Sequence, residues 1–256
     1  ATLLNLLVGT KLSIVTPKVQ TTRSRMLGIA LKSDAQLIFV DTPGIFAPKR
    51  RLDRAMVAAA WAGADDADIV VVLVDASHGI DDDTRNILER LKTTRRRRVL
   101  ALNKIDLVKR EKLLPLADEL SHLCDFERGF MISSTKGDGT ADLLDVLAAS
   151  VPEAPWLYPE DQLTDLPQRM LAAEITREQI YLQLHQELPY AAAVETEQWE
   201  ERPDGSVKIS QVIHVQRDGQ KAIVLGKGGT QIKQIGASSR AELEKLWRDA
   251  KLTQIY

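Results

Sequence analysis

Two runs, IVVVLV at 69–74 and VLAL at 99–102, are apolar at every position, so any strand they form must be covered on both faces. A sheet with one wet face would alternate instead, and the pattern therefore predicts a mostly parallel sheet between helix layers. From Met26 to about Val151 such runs alternate with helical stretches: MLGIALK, QLIFVD, a helix, DIVVVLVD, a helix, RVLALNK, a helix, GFMIS, and a last helix in TADLLDVLAASV. This is a three-layer α/β domain. Only a short SDA turn separates MLGIALK from QLIFVD, which predicts a hairpin and one antiparallel edge. Ahead of it Leu3, Leu4, Leu6 and Leu7 form a helical stripe that stops at Gly9, with nothing before Ala1 to cap it.

The stretch VPEAPWLYPEDQLTDLP carries Pro152, Pro155, Pro159 and Pro167, which neither helix nor strand interiors tolerate. It predicts a linker over 152–166, with Trp156 and Tyr158 pinning together a domain at 1–151 and one at 167–256. The second domain reads as a helix from about Pro167 to His185, two strands (AAAVETEQWEE and SVKISQVIHVQ) joined by a PDG turn, a short helix at KAIVL, the loop GKGG and a helix to about Trp247. That order, α-β-β-α-α, is a small α+β module.

A chain of 256 residues, 44% apolar, is long enough for two cores. A net charge of −2 excludes a surface that binds polyanions all over, so a nucleic-acid site must be a local patch. The single cysteine, Cys124, excludes a disulfide framework and fits a reducing compartment; on an apolar helix face it reads as core. No run approaches the ~20 apolar residues of a membrane span, and the start is neither signal nor transit peptide, which predicts a soluble, cytoplasmic protein. His78, His122, His185 and His214 have no ligand spacing, and Asp81, Asp82 and Asp83 read as cap and dipole partners of a helix starting near Thr84.

The chemistry gathers at strand ends. VDTPG places Asp41 at the carboxyl end of a strand, where α/β sheets bind ligands. An aspartate there suits a magnesium ion, Thr42 and Pro43 shape the turn, and Gly44 brings a bare backbone N–H toward a terminal phosphate. NKID ends another strand: Asn103 is followed by Lys104, whose stem suits the face of a purine, and by Asp106, which can accept both the ring N–H and the exocyclic amine of guanine. ISSTKG ends a third, with Ser133 and Ser134 offering backbone N–H groups to the guanine carbonyl. In the second domain, Gly226, Lys227, Gly228 and Gly229 stand between two helices, a turn that lets backbone approach sugar-phosphate. From Lys221 to Lys245 five bases (Lys221, Lys227, Lys233, Arg240, Lys245) face two acids (Glu242, Glu244), a local charge of +3. Ile223, Val224, Ile232 and Ile235 are spaced to line a groove; with the GxxG turn in its α-β-β-α-α setting this resembles a KH domain, which implies about four unpaired nucleotides as the ligand. The run Arg95 to Arg98 reads as a solvated loop or a second RNA contact.

The order QTTR, DTPG, NKID, ISS resembles the Era and TrmE group of GTPases, and a GTPase followed by one KH domain of the prokaryotic topology is the arrangement of the Era family. The resemblance covers nearly the whole chain. It implies a P-loop-type GTPase domain whose first strand and phosphate loop precede Ala1, which takes the place of the family's metal-binding serine. It implies GTP, GDP and Mg²⁺ as ligands, with Thr22 (Thr21 less so) as the switch threonine that joins Asp41 at the metal, and 14–25 as the switch segment. Ile45 replaces the glutamine that orients water in many such enzymes, which implies slow hydrolysis with no assignable catalytic residue. It further implies a monomeric small-subunit (30S) assembly factor that holds the 3′ end of 16S rRNA through Lys221, Ile223, Gly226, Lys227, Gly228, Gly229, Ile232 and Lys233, with peripheral inner-membrane contact. Two other readings stand beside it: an RNA-binding module with an inactive G domain, and a TrmE-type GTPase acting on tRNA. The family's last KH strand has no counterpart in the pattern of AELEKLWRDAKLTQIY.

Overall fold

The computed structural model describes residues 1–18, 21–23, 25–45, 51–185 and 188–249. The chain divides into two compact units, Ala1–Gly9 with Thr22–Glu160 and Thr10–Thr21 with Asp161–Tyr256. Both domains expected from the pattern are present, but the division falls at 160/161 and the segment 10–21, expected in the first domain, packs with the second.

In the first unit, α1 (Thr2–Val8) has no side-chain cap at its start and ends where Gly9 turns left-handed at φ 82°, donating its N–H to Asn5 O. Strands β1 (Met26–Lys32) and β2 (Ala35–Asp41) form the expected antiparallel hairpin, with Met26 opposite Asp41. A Cβ on Gly28 would stand 2.7 Å from a Leu4 methyl, which is why α1 can lie directly on β1. After α2 (Arg51–Asp66) come β3 (Ile69–Asp75), α3 (Asp82–Lys92), β4 (Arg97–Asn103), α4 (Leu113–Leu123), β5 (Arg128–Met131) and α5 (Thr140–Ala148). Strands β3, β4 and β5 form a parallel sheet in that order.

β4 shows why both faces had to be apolar. Leu100 and Leu102 enter a core with Trp61, Leu88, Leu91, Leu120 and Cys124. Val99 and Ala101 enter another with Leu37, Ile132, Leu143 and Leu147. These are the two sides of a three-layer sandwich, and burial pushes the Cys124 thiol above its ordinary pKa, as befits a core residue. Among the described residues the hairpin is not hydrogen-bonded to the parallel sheet but shares its second core through Leu37. Asp81 caps α3, accepting hydrogen bonds from the Thr84 N–H at 2.7 Å and hydroxyl at 2.6 Å. Of the arginine run, Arg97 pairs with Glu127 and Arg98 donates to the carbonyls of Leu91, Thr94 and Asp125, so both are structural. Trp156 and Tyr158 are held to the hairpin of this unit: the Trp156 indole N–H donates to Asp34 O and the Tyr158 N–H to Gln36 Oε1.

The second unit runs α6 (Gln168–Gln183), a one-turn α7 (Leu188–Ala191), β6 (Ala193–Glu201), β7 (Val207–His214), α8 (Asp218–Leu225) and α9 (Thr230–Asp249), with β6 and β7 antiparallel. Only α7 was not expected. Ile175 and Ala172 of α6 pack with Leu243 of α9 and Trp199, while Ile180 and Leu184 pack with Val224 and Ile235. The other side of α6 is covered by the segment from Thr10. Leu12 and Ile14 are buried there, the Lys11 ammonium bridges Glu178 at 2.6 Å and Glu242 at 3.0 Å, and the Val15 N–H donates to Glu178. The Lys18 ammonium donates to the carbonyls of Tyr181 and Leu184 near the end of α6, where cations are favoured. The expectation for a last KH strand falls on residues outside those described.

Candidate functional site

Asp41, Asn103 and Met131 close β2, β4 and β5 at their carboxyl ends, so the three loops carrying DTPG, NKID and ISS belong to one unit and follow strand ends as the sequence required. NKID and ISS are joined directly. Asn103 Oδ1 accepts both the N–H and the hydroxyl of Ser134, each at 2.9 Å, which fixes the orientation of the amide. Lys104 stands in the left-handed region at φ 62°, uncommon for a side chain with a Cβ, and Asp106 follows in a 3-10 turn over Ile105–Leu107. The Ile105 N–H donates to Ile132 O, tying that turn to the loop after β5.

The backbone N–H groups of both serines are engaged within the chain. The Ser133 N–H donates to Asp138 O and the Ser134 N–H to Asn103, so neither is free for a ligand. The loop folds on itself: the Gly137 N–H returns to Ser133 O, and Gly139 at φ 67° lies so close to β5 that a Cβ would stand 2.3 Å from Met131 O. The next residue, Thr135, is exposed, and its N–H makes no hydrogen bond among the described residues.

At the other end of the site, the backbone nitrogen of Ala1 lies 2.9 Å from Asp41 Oδ2. The start of α1 and the end of β2 thus meet, and the Asp41 carboxylate, 16% exposed, offers the hard oxygen ligands that suit Mg²⁺. Thr22 is half-buried in the same unit and its hydroxyl makes no hydrogen bond among the described residues. Thr21 belongs to the other unit, and its hydroxyl is used on Lys18 O and on Thr16. Of the two hydroxyls, that of Thr21 is therefore the one already engaged within the chain. Among the described residues a Cβ built on Gly44 meets nothing within 4 Å, so packing against them does not demand this glycine. Ile45 packs against the core that holds Leu100 and Leu102.

One group beside NKID was not read from the sequence. Asp75 closes β3 directly opposite Asn103, and its carboxylate accepts from the Lys104 ammonium at 2.6 Å, from His78 Nδ1 at 2.9 Å, and from the Ser77 N–H and hydroxyl. Burial alone would push its carboxyl up; the hydrogen bonds from Lys104, Ser77 and His78 outweigh that and hold it well below the usual carboxylate range. Its signal was its place, an aspartate ending a strand at the same register as Asn103.

In the second unit, Gly226, Gly228 and Gly229 all have positive φ. Gly226 is the constrained one: at φ 69°, ψ 174°, a Cβ would stand 2.7 Å from Gln231 Cβ. Positions 228 and 229 face open space. Lys221, Lys227 and Lys233 are exposed around the turn, Ile223 is 57% exposed and Ile232 half-buried. Val224 and Ile235 were expected to line the groove and instead sit in the core under it, at 4% and 1% exposure, because they face α6.

A family model described as 50S ribosome-binding GTPase matches residues 1–104, and a KH domain model matches 187–250. GTPase Era of Agrobacterium fabrum is 58% identical over 246 residues, 96% of this chain and 78% of that protein. GTPase Era of Brucella suis is 56% identical over 96% of this chain and 79% of its own length. Among solved structures, Era in complex with MgGDPNP and nucleotides 1506–1542 of 16S ribosomal RNA aligns with TM-score 0.91 and 36% identity, over 96% of this chain and 84% of that one. A point variant of Aquifex aeolicus Era bound to GDP and AlF₄⁻ aligns with the same score, identity and coverage.

Proposed function

Because the chain belongs to the GTPase Era family, we propose that it binds and hydrolyses GTP and uses its KH unit to hold the 3′ end of 16S rRNA during maturation of the 30S subunit. The observation that carries the nucleotide reading is the bond between Asn103 and Ser134, which locks two motifs into one base pocket with Lys104 and Asp106 beside it. Asp106 accepts the two N–H donors that guanine has and adenine lacks, Lys104 covers the ring, and the N–H of Thr135, an exposed residue, takes the guanine carbonyl. Thr42, Pro43 and Gly44 carry the backbone past the terminal phosphate. Asp41 and Thr22 would hold Mg²⁺, which would offset the negative charge of the phosphates. Ile45 offers no hydrogen bond to an attacking water, so turnover is slow.

For RNA, Gly226 to Gly229 bring backbone N–H groups and the start of α9 to the phosphates, Lys221, Lys227 and Lys233 supply charge, and Ile223 and Ile232 supply the apolar floor. The solved Era complex with MgGDPNP and 16S rRNA supports both halves of this reading. The protein acts as a monomer in the cytoplasm, with peripheral inner-membrane contact; among the described residues no helix is long and apolar enough to cross a membrane. The test is hydrolysis by the full-length protein in Mg²⁺: GTP should be turned over and ATP not, and a 16S 3′-end oligonucleotide should be retained. Equal turnover of ATP, or no RNA retention, would overturn the reading.

A further inference from the structure

We propose that Asp75 is the positioning residue of the guanine site, fixing the Lys104 ammonium so that the stem of that side chain is laid out for the purine. This rests on the guanine reading of NKID. Three observations carry it. The parallel register places Asp75 at the end of β3 directly beside Asn103 at the end of β4, so the carboxylate stands next to the motif rather than reaching from a distant loop. The carboxylate is itself oriented: Oδ1 is held by the Ser77 N–H at 2.9 Å and hydroxyl at 2.6 Å, and Oδ2 by His78 at 2.9 Å. Lys104 then meets an already fixed acceptor at 2.6 Å while its side chain is 48% exposed.

A lysine head on a four-carbon stem has many rotamers, and ordering it at the moment of binding costs affinity. Anchoring the ammonium in advance removes part of that cost, as does the left-handed backbone at Lys104, which sets the direction in which the stem leaves the chain. The ammonium has three donors, so the bond to Asp75 leaves two for a ligand.

The experiment is the dissociation constant of a fluorescent GDP analogue for the full-length protein, measured for Asp75→Asn, Lys104→Met and the double variant, with melting temperatures taken alongside. D75N should weaken binding about tenfold, the size of one charge-assisted hydrogen bond, and should weaken it no further once Lys104 is methionine. Asp75→Glu, which keeps the charge, should recover part of the loss. If D75N does not fold, Ser77→Ala frees one side of the carboxylate and should weaken binding about threefold only when Lys104 is present. Unchanged or tighter binding in D75N, or a loss that persists in the Lys104→Met background, would overturn the proposal. Unchanged binding in Lys104→Met alone would instead remove the guanine reading on which it rests.

Discussion

Alanine at Gly226 should unfold the RNA-binding turn, whereas alanine at Gly228 should not. Gly226 lies at φ 69°, ψ 174°, a region that only glycine occupies freely, and entering it costs a residue with a Cβ roughly 1–3 kcal/mol. The added Cβ would also stand 2.7 Å from Gln231 Cβ and 2.9 Å from Gln231 N, where ordinary contact begins at 3.4 Å. The first turn of α9 must therefore retreat by several tenths of an ångström, an overpacking cost of about 1–3 kcal/mol. Together the two effects amount to roughly 3 kcal/mol, which lowers the melting point of a unit this size by about 15 °C. At Gly228 the backbone is left-handed at φ 61°, ψ 23° but nothing lies within 4 Å, so alanine costs about 1 kcal/mol. Hydrogen exchange of β6 and β7 peptides during a thermal ramp reads the second unit by itself. A Gly226→Ala unit that melts within about 3 °C of the unmodified protein, or a Gly228→Ala unit that melts earlier than it, would refute the reasoning.

Gly228→Asp fits the same open space, and aspartate tolerates the left-handed region, so this variant should keep its fold and its nucleotide affinity while a carboxylate facing phosphate abolishes RNA retention; equal RNA affinity would remove the KH assignment. Asp81→Ala should cost about 1 kcal/mol of stability at pH 7 by loss of a helix cap. Hydrogen bonds from Thr84 depress the Asp81 carboxyl, so its contribution is complete above the unfolded value of about 3.9 and should fade as acid drives the pH down through the folded one, which urea melts across pH 2–7 would show. Lys11→Met should destabilise the second unit by roughly 2 kcal/mol, since Glu178, 3% exposed, would be left without its cation. Burial lowers the Lys11 pKa, but Glu178 and Glu242 outweigh it and raise it, so this contribution should persist below about pH 10 and disappear only at higher pH.

Where covering both faces of a strand decides the local sequence, as at Val99 to Leu102, the structure could be read in advance. Where a single residue decides a turn, as at Gly9 or Asp81, it could be read as well. The site was legible in its strand ends and its motifs. What was hidden depended on partners far along the chain. In α6, Thr176, Arg177, Glu178 and Gln179 are polar and buried, consecutive positions that together point round most of the helix, so that no side of this stretch is left to water as periodicity would have it. For Glu178 the pairing with Lys11, 167 positions away, compensates the burial. The same contact explains why the segment from Thr10 left the first domain. Ser134 shares this cause, its N–H being taken by Asn103, 31 positions away; the Ser133 N–H is taken within its own loop, by Asp138.

The most direct test of the central claim, that this site reads guanine, is the nucleotide preference of Asp106→Asn. A carboxylate that accepts two N–H donors becomes an amide that matches the xanthine edge, so competition binding should show guanine nucleotides displaced by xanthine nucleotides as the preferred ligands. Unchanged affinity for GTP in that variant would contradict the assignment of NKID.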